Sequence, residues 1–493
     1  MEVILINPSF DRSTMGPFHE YVPKMLPLSI GFLAGYLLAR DIVPNIVDEQ
    51  LEYITHKEVE MLVSDKGRII VGLSCLTAGA ARAYELASWI KEANPEAILI
   101  YGGIHATVLP EEALKRGRAD IVVRNEGEEA IYELIQYYRQ GGKLENIKGI
   151  SFACNGKFIH NPPRPLIEDL NSLPPFPYHL FEKDIKKYIF GDIMMSRGCP
   201  FECIFCSQRS ISGRAYRFRS TGNIIKELDA LVYKYGQKQI IFNDDNFVVN
   251  RNHVFELCDK IIARKYPDSL SFQVYARGDM VDLEMLRLMK RAGIGAIVYG
   301  LETGSERLMK IVKKRLTVAD NKRAIELTHE AGILTNGSFI LGLPTETKEE
   351  SLQTIRFAKS IPLDLTRFNL LVPYPGTEVY ELLKKSRQDI NDDWSSFLTV
   401  SGFGTTSIPY IPEGRIENEM RRLQLWANLT FYLRPRQFII LMRKKFSNQL
   451  HLPSPLTLRG MQAYMKIAIY LIITITKTFI KNKVTNDGHL KYT

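Results

Sequence analysis

The chain has 493 residues, 45% of them apolar and 24% charged, with a formal net charge of +9. That length allows two or three domains with sizeable cores, and six cysteines in so long a chain exclude a disulfide framework. The charge is uneven: Ile411–Thr493 carries 14 Lys and Arg against 4 Asp and Glu, whereas Met1–Tyr410 carries 50 against 51.

The opening "MEVILINPSF" has no basic n-region and no cleavage signature. It reads as a first β-strand rather than a signal peptide, which places the chain in a reducing cytoplasm. Over residues 1–143, short apolar runs alternate with helical patterns. "EVILINP", "IIVGLSC", "AILIYGG" and "DIVVRNEG" are buried-strand runs, and "ARAYELASWIKEA" is one of the helices between them. This predicts a parallel, Rossmann-like α/β sheet, whose ligands bind at the carboxyl ends of the strands. Those ends are Asn7-Pro8, Ser74 to Thr77, Gly102-Gly103 and Asn125 to Gly127, and no GxGxxG occurs there, which disfavours a dinucleotide.

Residues 144–191 read as a connector: a short hairpin, "GISFACNGKFIH", then the proline-rich "NPPRPLIEDLNSLPPFP". From 192 to 410 the βα rhythm resumes with six strand candidates, "DIMMS", "QIIFND", "SFQVYA", "GAIVYG", "TNGSFILG" and "RFNLLV". Six such units make a partial barrel of the (βα)6 kind. Leu283 to Arg291 and Lys348 to Lys359 are two of its helices. The region 411–493 reads as helical, basic and amphipathic. Its uncharged run Ile467–Thr476 is about half the ~20 residues a spanning helix needs. Two readings stand side by side: contact with a membrane surface, or helices packed on the barrel. Its basic residues interleave with long aliphatics, which speaks against nucleic acid.

Half of the cysteines fall in eight residues, Cys199, Cys203 and Cys206, inside "SRGCPFECIFC" after the first barrel strand. The isolated Cys75, Cys154 and Cys258 read as small core residues. Structural zinc wants four protein ligands, and no histidine lies between His179 and His253. A four-iron cluster has four corners, and three thiolates leave one iron open to an exogenous ligand.

The spacing Cys199-Pro-Phe-Glu-Cys203-Ile-Phe-Cys206, with Phe205 before the last cysteine, resembles the signature of the radical S-adenosylmethionine (SAM) enzymes. The resemblance implies a [4Fe-4S] cluster whose open iron chelates SAM, and reductive cleavage to a 5′-deoxyadenosyl radical that abstracts hydrogen. It places Asp244 and Asp245 of "FNDDNF" at the methionine ammonium, and Arg277 of "ARGD" at a carboxylate. Glu302 of "YGLETGS" then serves the ammonium or ribose, and Gly342 of "FILGLPTET" the adenine. Thr345 stands where many relatives have glycine. Structurally, Asp244 and Asp245 also read as a helix N-cap pair.

The first 143 residues narrow the family. "MLPLSIGFLAGYL", "VGLSCLT", "YGGIHATVLPEEAL" and "RNEGEEAIYEL" resemble the cobalamin-binding domain that precedes the barrel in cobalamin-dependent members. There is no DxHxxG, so the resemblance implies cobalamin held without a protein histidine, among Ser74, Thr77, Gly103 and Glu126. His105 is the nearest candidate for an axial role. The expected activity is methylation of an unactivated carbon of a small or lipid-like substrate, with flavodoxin or ferredoxin as electron donor. The alternatives are a radical cyclase or ring-rearranging enzyme without methyl transfer, and a non-catalytic, membrane-associated cobalamin sensor.

Overall fold

The computed structural model describes residues 1–9, 24–386, 390, 393–398 and 407–442. Its first sheet comprises β1 (Val3–Asn7), β2 (Asn45–Asp48), β3 (Ile70–Ser74), β4 (Ile98–Gly102), β5 (Ile121–Val123), β6 (Ile150–Cys154) and β7 (Lys157–His160). They are ordered β2-β1-β3-β4-β5-β6-β7. The first five are parallel and the last two antiparallel. The four predicted strands are β1, β3, β4 and β5. The predicted hairpin forms too, but β6 pairs with β5 through Ile121↔Phe152, so residues 150–160 extend the sheet. Helices cover both faces, as a parallel sheet requires. Ile30, Leu37, Ile131 and Leu134 pack on one face, and Val59, Leu86 and Ile90 on the other. The chain leaves β1 toward β2 and returns to β3 on the opposite side, which makes the β1/β3 carboxyl ends the switch point where such sheets bind ligands.

The second sheet holds β8 (Asp192–Ile193), β9 (Gln239–Phe242), β10 (Ser271–Ala276), β11 (Ile294–Glu302), β12 (Leu334–Leu341) and β13 (Leu365–Leu370). They lie in sequence order and all parallel, the partial six-stranded barrel expected. Alternation sets its two faces. Val274, Ile297, Tyr299, Phe339 and Phe368 join the helices in one core with Leu286, Met289, Ile355 and Ala358. Residues between them in sequence face the lumen. Helix starts are fixed by side chains: Thr317 and Thr347 each form a capping box, with Asp320 and Glu350.

After the barrel, the turn Trp394–Ser396 returns to the first domain. Trp394 Nε1 donates to Glu112 (2.6 Å), and its ring meets His105 edge-on at 5.1 Å. The helix Glu417–Tyr432 then lies along β13. Gln424 donates to the Phe368 carbonyl (2.8 Å) and the Tyr432 hydroxyl to the Thr366 carbonyl (2.6 Å). For residues 417–432 the packed reading is therefore the right one. The tail beyond Met442, with its run Ile467–Thr476, lies outside the described residues. Among the described residues no helix is long and apolar enough to cross a membrane. Cys75 and Cys258 are buried as expected, whereas Cys154 is exposed, because it ends β6 at the tip of the hairpin.

Candidate active site between the sheet and the barrel

The three cysteines sit on one loop, and the loop is anchored by its non-cysteine residues. Gly198 enters it at φ +91°, where an added Cβ would meet the Ala215 carbonyl at 2.1 Å; only glycine fits. Ile204 is buried among Leu308, Val312, Leu343 and Leu371, with Phe205 packed beside them. Its N–H donates to the Val312 carbonyl (3.1 Å), and its carbonyl accepts from Val379 (3.0 Å). Burial pushes all three thiols up, Cys206 to about 12. They are neutral until metal displaces their protons.

Arg277 adjoins this loop: its guanidinium lies 3.5 Å over the Phe201 ring and Nη1 is 4.0 Å from Cys203 Sγ. Asp279 (3.0 Å) and the Lys314 carbonyl (2.6 Å) hold it there. Glu302 ends β11 at φ +59°, and its carboxylate pairs with Lys314 Nζ at 2.5 Å, both side chains buried. Burial works against the Lys314 charge, yet Glu302 and Cys203 outweigh it and push its pKa up. Sequence reasoning missed Lys314, since nothing local links it to "YGLETGS".

Asp244 and Asp245 divide their work. Asp244 Oδ1 accepts from the Ser196 hydroxyl (2.6 Å), while Oδ2 is buried with no partner. Burial pushes Asp244 up to about 7 and Asp245 up to about 6. The free Oδ2 of Asp244 and the cavity-facing Asp245 are the acceptors left for an ammonium group. Neither caps a helix: the next one, Arg251–Arg264, is capped by Asn250. Gly342 lies under Met420 and Pro412 of the C-terminal segment. Thr345 takes the left-handed turn that glycine makes easily, at φ +60°. Arg307 holds it there, donating to its hydroxyl (3.0 Å) and carbonyl (2.7 Å).

A cavity of about 340 Å³ opens between the carboxyl ends of β1 and β3 to β5 and the mouth of the barrel, within the size range of small-molecule sites. Ser74, Gly103, Asn125 and Glu126 line it from the sheet, and Met194, Ser196, Arg197 and Asp245 from the barrel. Gly103 sits at φ +90°, where a Cβ would strike the Cys75 carbonyl at 2.7 Å, so the backbone itself forms the wall. Ser74, Gly103 and Glu126 thus come together at this cavity. Thr77 is not in the lining; it is buried in the turn Thr77–Gly79, which packs against Trp394–Ser396. Glu126 reaches the cavity, but Arg197, Arg217 and the Ile167 N–H occupy its carboxylate. His105 faces away. It is fully buried, its Nε2 lies 3.1 Å from the Tyr84 hydroxyl, and burial pulls its pKa down to about 4. It is a hydrogen-bonding residue rather than an axial ligand, and among the described residues no histidine lines the cavity.

The radical SAM superfamily model matches residues 193–358, and the B12 binding domain model residues 24–135. A Pyrococcus horikoshii protein described as an uncharacterized methyltransferase is 30% identical over 449 residues, covering 89% of this chain and 94% of its own. The chain belongs to the B12-binding-domain radical SAM enzymes. The anaerobic magnesium-protoporphyrin IX monomethyl ester cyclase of Cereibacter sphaeroides is 29% identical, covering 81% of this chain and 66% of that one. The radical SAM methyltransferase TsrM of Kitasatospora setae, solved with cobalamin and a [4Fe-4S] cluster, shares the fold at TM-score 0.66 and 18% identity over 78% of each chain. This radical SAM enzyme takes a [4Fe-4S] cluster, SAM and cobalamin. Its residues fit them: three thiols on one anchored loop, an unpartnered buried Asp244 oxygen beside it, and a glycine-walled cavity at the sheet's switch point.

Proposed function

We propose that this enzyme methylates an unactivated carbon of a small-molecule substrate held in the barrel lumen. The observation that carries the reading is the shared cavity, in which the B12-binding loops and the barrel mouth wall one space. When bound, the cluster with SAM supplies the hydrogen-abstracting radical, and cobalamin supplies the methyl group. The chain's own part is to fix the geometry between them and to exclude water. Ile30, Leu33, Ile100, Val123 and Ile131 make the sheet side of the cavity apolar. Glu126 and Arg197 tie that side to the barrel (3.0 Å).

Anaerobic reconstitution with trideuteromethyl-labelled SAM, cobalamin and a flavodoxin or ferredoxin donor tests this. The substrate source is extract of a strain lacking the gene. The expected result is a product carrying the three deuteriums. An altered product without label would replace methyl transfer with cyclisation or ring rearrangement, the second reading that the likeness to the magnesium-protoporphyrin cyclase supports. The basic composition of residues 443–493 supports a cytoplasmic enzyme whose tail touches the inner membrane face. Truncation after Met442, which spares the helix on β13, is expected to move the protein out of the membrane fraction. Unchanged partitioning would defeat that placement.

A further inference from the structure

The lumen of the barrel is chemically asymmetric. On β13, Thr366, Phe368 and Leu370 are buried, and Phe368 stacks on Phe339 toward the helices at 5.2 Å between ring centres. Arg367 and Asn369 therefore point the other way, into the lumen. The ladder sets Arg367 beside Ser338, and Ser338 beside Gly300 on β11. The lumen positions of β11 are Ala296, Val298 and Gly300, all small. The Glu302–Lys314 pair lies over Gly300.

Several polar groups around this space are already matched. Asn369 Nδ2 donates to Ser338 Oγ (3.1 Å). Arg277 has Asp279, Lys314 has Glu302, and Arg197 has Glu126 and Glu128. Arg367 is exposed and makes no ion pair, hydrogen bond or ring contact among the described residues. A guanidinium presents a rigid fork of donors matched to a carboxylate or phosphate. Left open, it awaits an anion from outside the chain. Asp192 is also on the lumen face, fully buried. Burial pushes its carboxyl well above the usual range. Tyr275, on β10, registers both: burial raises its phenol, Arg367 lowers it and Asp192 raises it.

Resting on the lumen as the substrate chamber, we propose that the substrate is an anion whose carboxylate or phosphate is bound by Arg367. The reacting carbon then points from Arg367 toward the strand ends, where the cluster loop lies.

The test fractionates extract of the deletion strain into anionic, neutral and cationic pools by ion exchange. Each pool is given to the reconstituted holoenzyme, and the readout is stimulation of 5′-deoxyadenosine formation above the substrate-free rate. Only the anionic pool is expected to stimulate. R367Q should raise the half-stimulating amount at least tenfold, and R367K less. Cobalamin and iron content report that both variants are folded. Stimulation by the neutral or cationic pool, or R367Q saturating like the parent enzyme, overturns the proposal. Phosphatase treatment of the active pool separates the two anions: lost stimulation assigns a phosphate, retained stimulation a carboxylate. Stimulation without transfer of labelled methyl sinks the methyl-transfer reading alone and leaves Arg367 as the anion site.

Discussion

Cys203→Ala is expected to yield protein without its iron–sulfur absorption, and with 5′-deoxyadenosine formation at background. Three thiols share one loop, and in the proposed assignment each would supply one corner of the cluster. Two thiolates leave two irons without protein ligands, and the loop has no spare donor. Its other side chains are committed to the anchor: Ile204 and Phe205 pack in a core, and Phe201 lies under Arg277. The control is Cys258→Ala. Cys258 is fully buried, but in the helix-side core of the barrel, remote in role from the loop. Removing its sulfur should cost about 1 kcal/mol and leave the iron content unchanged. Iron and sulfide analysis of the two variants after identical reconstitution decides the point; full iron in Cys203→Ala would refute the assignment.

What the sequence could reveal follows from the range of the interactions involved. Cys199, Cys203 and Cys206 were legible because a cluster loop is local, and its ligand spacing is written in eight consecutive residues. β1, β3, β4 and β5 were legible because a parallel sheet covered on both faces demands unbroken apolar runs. β2 was not, since "NIVD" is short, half-exposed and at the edge, and only its pairing with β1 makes it a strand. The hairpin 150–160 was visible as a hairpin, but its membership of the first sheet depends on pairing with β5. The same limit applies to the site. Glu302 stood out in a motif, while its partner Lys314 lies in a turn with no motif of its own. Glu126 was read as a corrin neighbour because it ends a strand at the binding face. Its carboxylate is instead committed to two arginines 71 and 91 residues further along the chain, a distance across which sequence pattern carries no signal.

Those arginines make the domain interface the second place where a single change should have a large effect. Arg197 Nη1 meets Glu126 at 3.0 Å and Nη2 meets Glu128 at 2.6 Å; Arg217 meets Glu126 at 2.9 Å. All four side chains are nearly buried, 13% exposed or less. A buried pair is weak evidence of net stabilisation, but removing one partner strands the other's charge. Arg197→Met is therefore expected to destabilise the protein by about 3–5 kcal/mol, the range for breaking a buried pair. Cobalamin retention on gel filtration should fall with it, because Glu126 and Arg197 both wall the cavity. Arg197→Met with Glu128→Gln removes the carboxylate left without a partner, since Arg217 still meets Glu126, and should recover much of the loss. If this double variant is no more stable than Arg197→Met, charge burial is not the cause. The interface also carries a pH signature. Burial raises the Glu126 pKa, but Arg217 and Arg197 outweigh it and hold it below the ordinary 4.5. A folded pKa below the unfolded one stabilises fully at neutral pH, and that contribution is lost as pH falls through 4.5 and below. Acid should loosen the two domains in the parent enzyme over that window, and Glu126→Gln, which lacks this carboxylate, should show a shallower loss of stability there.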